Sequence, residues 1–203
     1  MQLENPRIAP LEESECGEEQ REVLDRAQVG GKVFNIFRTL VRHPKLLKRW
    51  MVFGNHVLHK STLDPREREI LILRIGWLCR SEYEWGQHVA IGKTCGLTDE
   101  DIARIQEGPG AEGIDPFDAL LLQATDELHA DAMIREATWR RLAERYDTRQ
   151  LMDLIFTVGQ YNLVSMALNT LGVPLDAGLR GFSNAGEAGS SGVKSGNARS
   201  SPR

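Results

Sequence analysis

The run from Ile70 to Cys79 constrains the fold of this chain more than any other stretch, because it is apolar on almost every helical face. Arg74 is its one charged side chain. A helix that is hydrophobic all round cannot rest on a surface and belongs at the centre of other helices. The residues in front of it, Asp64-Pro65-Arg66-Glu67, supply its start. Asp64 can cap the first turn, Pro65 has the preset φ of a first helical residue, and Glu67 is placed to reach back to the cap.

The flanking sequence supplies the partners such a helix needs. Boundary signals recur up to Gly172 with almost no period-two alternation, so the fold class is all-α. A helix starts near Ser81 or Glu82 and stops at Cys95-Gly96; Thr98-Asp99-Glu100-Asp101 caps another, with Ile102 and Ile105 as its apolar stripe before Gly108. Asp115-Pro116 opens a helix through Leu120, Leu121, Leu122 and Leu128 toward His129. A further helix covers Thr138 to Tyr146, and Thr148 caps a long one from Arg149 to about Leu171, ended by Gly172-Val173-Pro174.

Upstream, Val33 to about Lys60 is helical in two pieces, since His43-Pro44 biases the residue before proline away from helix. The domain reading is an N-terminal arm over residues 1–32 with a short helix from Gln20 to Ala27, a helical domain over 33–182, and a tail over 183–203. Ser183 to Arg203 is mostly Gly, Ser, Ala and Asn and has no periodic apolar residue, so it is expected to be disordered.

Composition narrows the function classes. A formal net charge of −4 gives no electrostatic footprint for nucleic acid. No stretch approaches the ~18 consecutive apolar residues of a membrane span, and the N-terminus lacks a charged-then-apolar leader, so a cytoplasmic location is expected. Cys16, Cys79 and Cys95 are widely spaced and form no C-x-x-C pair; they read as reduced, packing thiols.

The chemistry-bearing stretch is Ser81-Glu82-Tyr83-Glu84-Trp85-Gly86-Gln87-His88, preceded by Glu69. Ser81, Glu84 and His88 lie three and four residues apart, which stacks them on one helical face. By itself Glu84 with His88 reads equally as an exposed ion pair contributing about 0.2–0.5 kcal/mol to the helix. The apolar neighbouring helix, with Glu69 at its start, favours a buried carboxylate–imidazole pair instead, where burial raises the acid's pKa and the acid raises the imidazole's. Such a pair is poised for proton transfer near neutral pH. Arg80 lies eleven residues after Glu69, about 20° round a helix at ~100° per residue, so the two can share a face.

Other positions stay open between roles. Arg74 and Arg80 can bind a substrate carboxylate or hold a structural one such as Glu67 or Asp64. Tyr83 and Trp85 flank Glu84 and either face a substrate ring or pack against neighbouring helices. Thr157, Tyr161 and Asn162 line a cavity or cross-link helices, with cross-linking favoured. Asp126, Glu127 and His129 read as surface or interface groups. His56 and His59 have helical spacing, yet His-x-x-His near a helix end is weak evidence, and no metal is expected.

Glu69 followed twelve residues later by Ser81, Glu84 and His88 resembles the glutamate and C-x-x-C-x-x-x-H element of the carboxymuconolactone decarboxylase family, in the alkylhydroperoxidase D-like superfamily. The resemblance is specific from Leu63 to Glu69 and from Tyr83 to Leu97, and in helical layout covers Val33 to Gly172. Both cysteines are replaced, by Ser81 and Glu84, which points to the decarboxylase-like branch and away from thiol peroxidases. The resemblance implies an all-helical, cofactor-free protein assembling as homotrimers or homohexamers with pockets near subunit contacts. It implies His88 and Glu84 as proton carriers, Glu69 as the group orienting the histidine, and Arg80, Ser81, Arg74, Tyr83 and Trp85 as substrate-binding candidates. The expected reaction is decarboxylation of a small carboxylated lactone or dienoate from aromatic-compound breakdown. Double-bond isomerisation of a similar acid, or non-catalytic ligand binding, are the alternatives.

Overall fold

The computed structural model describes residues 3–182, and the tail expected from Ser183 to Arg203 lies outside them. Among the described residues a 3-10 turn, Glu13–Glu15, precedes nine α-helices and no strand. These are α1 Glu18–Arg26, α2 Asn35–Leu40, α3 Pro44–His59, α4 Pro65–Leu78, α5 Glu82–Thr94, α6 Asp99–Glu107, α7 Pro116–Asp131, α8 Glu136–Ala143 and α9 Thr148–Leu171.

The apolar run forms α4, and α4 is the centre of the bundle, packed on α5, α7 and α9. Residues 70–73 and Ile75 are at most 1% exposed. Fully burying each such side chain contributes about 1.5–3 kcal/mol, so this helix anchors the fold. Asp64 caps it, its Oδ1 accepting from the amide of Arg66 at 2.9 Å. Glu67 does not reach back to that cap as expected. Its carboxylate instead accepts from the Tyr146 hydroxyl at 2.6 Å and pairs with Arg145, because tertiary partners bury it more completely than a cap would.

Helix α5, which carries Glu84 and His88, packs on α4 through a glycine. A Cβ on Gly92 would lie 2.8 Å from Leu97 Cδ1 and 3.7 Å from Glu69 Cβ, so glycine there lets α5 approach α4 near Glu69. His88 is one turn earlier on the same helix, which carries it to Glu69.

Two expectations need correcting at the far side of the bundle. Glu127 is not a surface group: it is 4% exposed and accepts from Gln123, the amide of Arg135 and Thr138, at 2.8–2.9 Å. The cap of α9 is Asp147, not Thr148; Asp147 Oδ1 accepts from Arg149 and Gln150 at 2.8 and 2.9 Å. The α9 helix ends as expected at Gly172, with φ 70°. It has the length and hydropathy of a membrane span, but half of that window is buried in the bundle, as in the core helix of a soluble protein.

The N-terminal segment is more than an arm. Leu11, Cys16, Val23 and Leu24 bury themselves with Val41 and Leu47, and Arg38 and Arg42 donate to the carbonyls of Leu11 and Ala9, each at 2.8 Å. A helix as short as α1 is marginal alone, and this packing is what stabilises it.

Candidate active site

α4 contributes Glu69 from its second turn, α5 contributes Glu84 and His88, and α9 contributes Gln160 and Tyr161. His88 stands between the two acids. Its Nδ1 is 2.7 Å from Glu69 Oε2, and its Nε2 is 3.4 Å from Glu84 Oε2. Arg68 donates from Nε and Nη2 to Glu69 Oε1, both at 3.3 Å, and Tyr161 meets the imidazole edge-on with centroids 4.8 Å apart. All six side chains are buried, Glu69 completely.

A cavity of about 590 Å³ opens in front of this cluster. Arg68, Glu84, His88, Gln160 and Tyr161 face it from one side. Phe34, Phe37, Trp50, Met51 and Leu58 give it an apolar lining from α3 and the segment around α2, and residues 26–29 of the N-terminal segment complete it. Glu69 stands behind His88, outside the lining.

Burial in this setting changes the proton affinities. Glu84 is pushed up to about 7, first by burial and then by the charge of Glu69, with His88 opposing. Its place in the first turn of α5 would favour the carboxylate, so desolvation outweighs the helix dipole. Burial disfavours the charged form of His88, but the Glu69 carboxylate and its hydrogen bond outweigh that and raise the imidazole. Burial, then Glu84 and Glu69, also push the Tyr161 phenol well up. The arrangement holds an acid–base group poised near neutrality, an imidazole whose proton affinity Glu69 raises, and a guanidinium beside one half-open cavity.

The structure brings Glu69, Glu84 and His88 together and places Tyr83 on the cavity wall. Tyr83 donates its hydroxyl to Asp176 and accepts from the amide of Ile36 at 3.2 Å. The remaining candidates are positioned elsewhere. Arg74 is committed to structure: Nε and Nη2 donate to Asp126 at 2.6 and 2.8 Å, and Nη1 to the carbonyls of Ile105 and Gln106 at 2.9 Å. Arg80 is not on a helical face with Glu69, because α4 stops at Leu78 and Arg80 sits exposed in the turn with φ 52°. Trp85 is buried against Trp77 and Phe182, with centroids 5.4 and 5.7 Å away, and does not reach the cavity. Ser81 occupies the N-cap position of α5; its Oγ is buried, has no hydrogen-bond partner among the described residues and is not part of the cavity lining.

The polar residues of α9 divide. Tyr161 lines the cavity, against the expectation of cross-linking, and Gln160 beside it does so too, whereas Asn162 does cross-link, accepting from the Cys79 thiol at 3.0 Å. Gln160 is 4% exposed and its Oε1 has no partner among the described residues. Burial pushes the Cys79 thiol up, away from the thiolate form. His59 lies on the cavity rim, and His56 Nε2 is 3.6 Å from Asp153. Among the described residues no group of three or more His, Cys, Asp or Glu side chains is gathered as a metal site.

Arg68 and Gln160 escaped the sequence reading. Arg68 stands in the alternating run Arg66-Glu67-Arg68-Glu69, where nothing distinguishes the arginine that folds inward from Arg66, which pairs with Asp118 at 2.7 and 2.9 Å. Gln160 neighbours Gly159 on a mostly apolar helix that also carries Gln150, Asn162 and Asn169, so its amide alone did not single it out.

Residues 44–108 match the model of the carboxymuconolactone decarboxylase family, a segment that contains Glu69, Ser81, Glu84 and His88. No curated protein sequence is significantly similar to the chain. Among solved structures, the fold is similar to an alkylhydroperoxidase core, an uncharacterized peroxidase-related protein from Ralstonia eutropha JMP134, with TM-score 0.73 and 19% identity over 85% of this chain and 93% of that one. An uncharacterized peroxidase-related protein from Silicibacter sp. TM1040 is similar with TM-score 0.70 and 18% identity over 86% and 91%. A debrominase in complex with 2,3,4-tribromopyrrole is similar with TM-score 0.69 and 11% identity over 86% and 94%. At these identities the structural likeness concerns the fold. The chain therefore shares the all-helical fold of these structures, and its segment 44–108, which holds the buried acids, is similar to the carboxymuconolactone decarboxylase family.

Proposed function

We propose that the protein is a cofactor-independent acid–base enzyme that decarboxylates a small carboxylated lactone or dienoate derived from aromatic compounds. The observation that carries this reading is Glu84: a buried carboxyl poised at about 7, on the wall of a half-open cavity, beside His88 and Arg68. In the proposed reaction Arg68 and the imidazolium draw the acid into the cavity. The C–C bond to the carboxylate breaks, CO₂ leaves, and the electron pair moves into the conjugated system as an enolate stabilised by these two cations. Glu84 then delivers its proton to carbon and is recharged from solvent. Glu69 holds the histidine charged and oriented throughout, as a positioning residue.

Double-bond isomerisation uses the same groups, with Glu84 removing a proton from one carbon and returning it to another. The dithiol peroxidase chemistry of the superfamily is disfavoured, since Ser81 and Glu84 stand where its cysteines would be and the Cys79 thiol is held as a donor to Asn162. We place the enzyme in the cytoplasm as a homotrimer or homohexamer. Supporting assembly, Met152, Phe156, Leu163 and Met166 recur at helical spacing on the exposed face of α9, near 50% exposed, with Phe53 of α3 edge-on to Phe156 at 6.0 Å. The decisive test is a screen of carboxylated ring-fission acids, following ultraviolet absorbance and CO₂ release, with Glu84→Gln and His88→Ala alongside. Turnover lost in both variants, with assembly intact, supports the enzyme. No turnover on any lactone or dienoate acid, with ligand affinity unchanged in both variants, would replace it with a non-catalytic binding protein.

A further inference from the structure

The cavity is far from uniform. Of its charged and titratable groups, Arg68, Glu84 and His88 lie together on α4 and α5, whereas Arg26 and His59 come from the ends of α1 and α3. The side formed by α2 and α3 presents Phe34, Phe37, Trp50, Met51 and Leu58, all partly buried and all bordering open space. Phe37 and Trp50 lie 6.2 Å apart between centroids and form an aromatic pair within this lining, to which α3 also contributes Gly54, Asn55 and His59. A volume of about 590 Å³ falls within the roughly 300–1,000 Å³ that encloses a drug-sized ligand, much larger than a bare ring-fission acid requires. A small acid held at Arg68 would leave the aromatic wall facing water, forgoing the free energy of covering it. Val29, 56% exposed, stands at the rim where a longer ligand would emerge.

From this polarity, and resting on the acid–base reading above, we infer that the ligand is an amphiphilic acid: its carboxylate is held at Arg68 beside Glu84, and an extended apolar body lies along Phe34, Phe37, Trp50 and Met51. The substrate class is then a carboxylate bearing an alkyl or aryl substituent, not an unsubstituted small lactone. Nothing in the reaction changes; the apolar body supplies binding energy remote from the reacting carbon, which holds that carbon against Glu84.

Binding of unbranched alkanoates, butanoate through dodecanoate below their micelle concentrations, tests this on the full chain by calorimetry and Trp50 fluorescence. Affinity should rise about fourfold per methylene until the wall is covered. Arg68→Leu should abolish the fluorescence response, and Met51→Trp, which fills part of the wall, should shift the plateau to a shorter chain. Affinity independent of chain length would overturn the inference, as would a steep series untouched by Arg68→Leu, which would place the acids on an exposed apolar surface. Should Met51→Trp fail to fold, the series on the native protein and Arg68→Leu still decides. The two readings fail separately. Turnover of a small lactone with a flat binding series sinks only this one; a steep, Arg68-dependent series with no turnover of any acid sinks only the enzyme.

Discussion

Two arginines on α4, Arg68 and Arg74, are both buried, and both lie beside carboxylates, yet they differ in what they have left to offer. Arg74 makes a bidentate pair with Asp126 and two further bonds to the carbonyls of Ile105 and Gln106, at 2.6–2.9 Å. Arg68 makes two longer bonds, 3.3 Å, to a single oxygen of Glu69, and borders a cavity. The first guanidinium is a cross-link between α4, α6 and α7. The second belongs to a chain of titratable groups whose far end, Glu84, opens on empty space. Satisfaction of hydrogen bonds together with access to volume separates a strut from a site; residue type and burial do not.

The comparison can be broken most sharply at the proton-transfer end. Glu84→Gln and His88→Ala should each lower kcat by about 10²–10⁴-fold while circular dichroism and assembly stay native, the range expected for losing a positioned acid or base. Equal loss from a variant of the Arg74 cluster at unchanged fold would erase the distinction. On the strut side, Arg74→Met should destabilise by about 3–5 kcal/mol, because it leaves Asp126 and two carbonyls unpaired. In thermal melts that effect should exceed the one from Arg68→Met, which in turn should raise KM for a carboxylated ligand by about tenfold or more.

The pH dependence of stability sharpens the contrast further. Glu84 has its pKa raised from 4.5 to about 7, so the folded state binds the extra proton between those values. Its contribution is complete below about 4.5 and is lost as pH rises through about 7, a change of a few kcal/mol. His88, also raised, acts in the same direction: its contribution is present below 6.5 and lost as pH rises through its folded value. The melting temperature of the native protein relative to Glu84→Gln should therefore fall between pH 5 and pH 8. A constant difference across that range would mean that Glu84 titrates normally. Proton delivery by Glu84 should likewise decline above pH 7. The smallest effect is expected at Cys79→Ser, within about 1 kcal/mol in stability and without change in turnover, since the thiol donates one hydrogen bond away from the cavity. Peroxide turnover that disappears in this variant would restore the thiol chemistry disfavoured above.

Much of the fold could be read from local signals. The Asp64-Pro65 start, the Gly96 and Gly172 stops, and the His43-Pro44 break are decided within a few residues by sterics and capping, and the structure has them where the sequence places them. Errors came where a tertiary partner competed with a local rule. Glu67 left its cap for Arg145 and Tyr146, and the left-handed turn at Arg80 cut off the helical arithmetic that linked it to Glu69. The same limit hid the N-terminal wall of the cavity. Nothing local to Arg26–Val29 shows that packing of Leu11, Val23 and Leu24 on α3 brings this segment to the rim.

The sequence by itself determined an all-α bundle built around one apolar helix, and set two acids and a histidine at spacings that let adjacent helices bring them together. Periodicity and capping are properties of neighbouring residues, so they survive without knowledge of the rest. Tertiary structure alone decided that Glu69 stands behind His88, that Glu84 is desolvated enough to hold its proton near neutrality, that Arg68 and not Arg74 or Arg80 faces the cavity, and that aromatic side chains also line it. Those outcomes depend on which groups lose water and which volume stays unfilled, quantities that exist only once distant segments have packed.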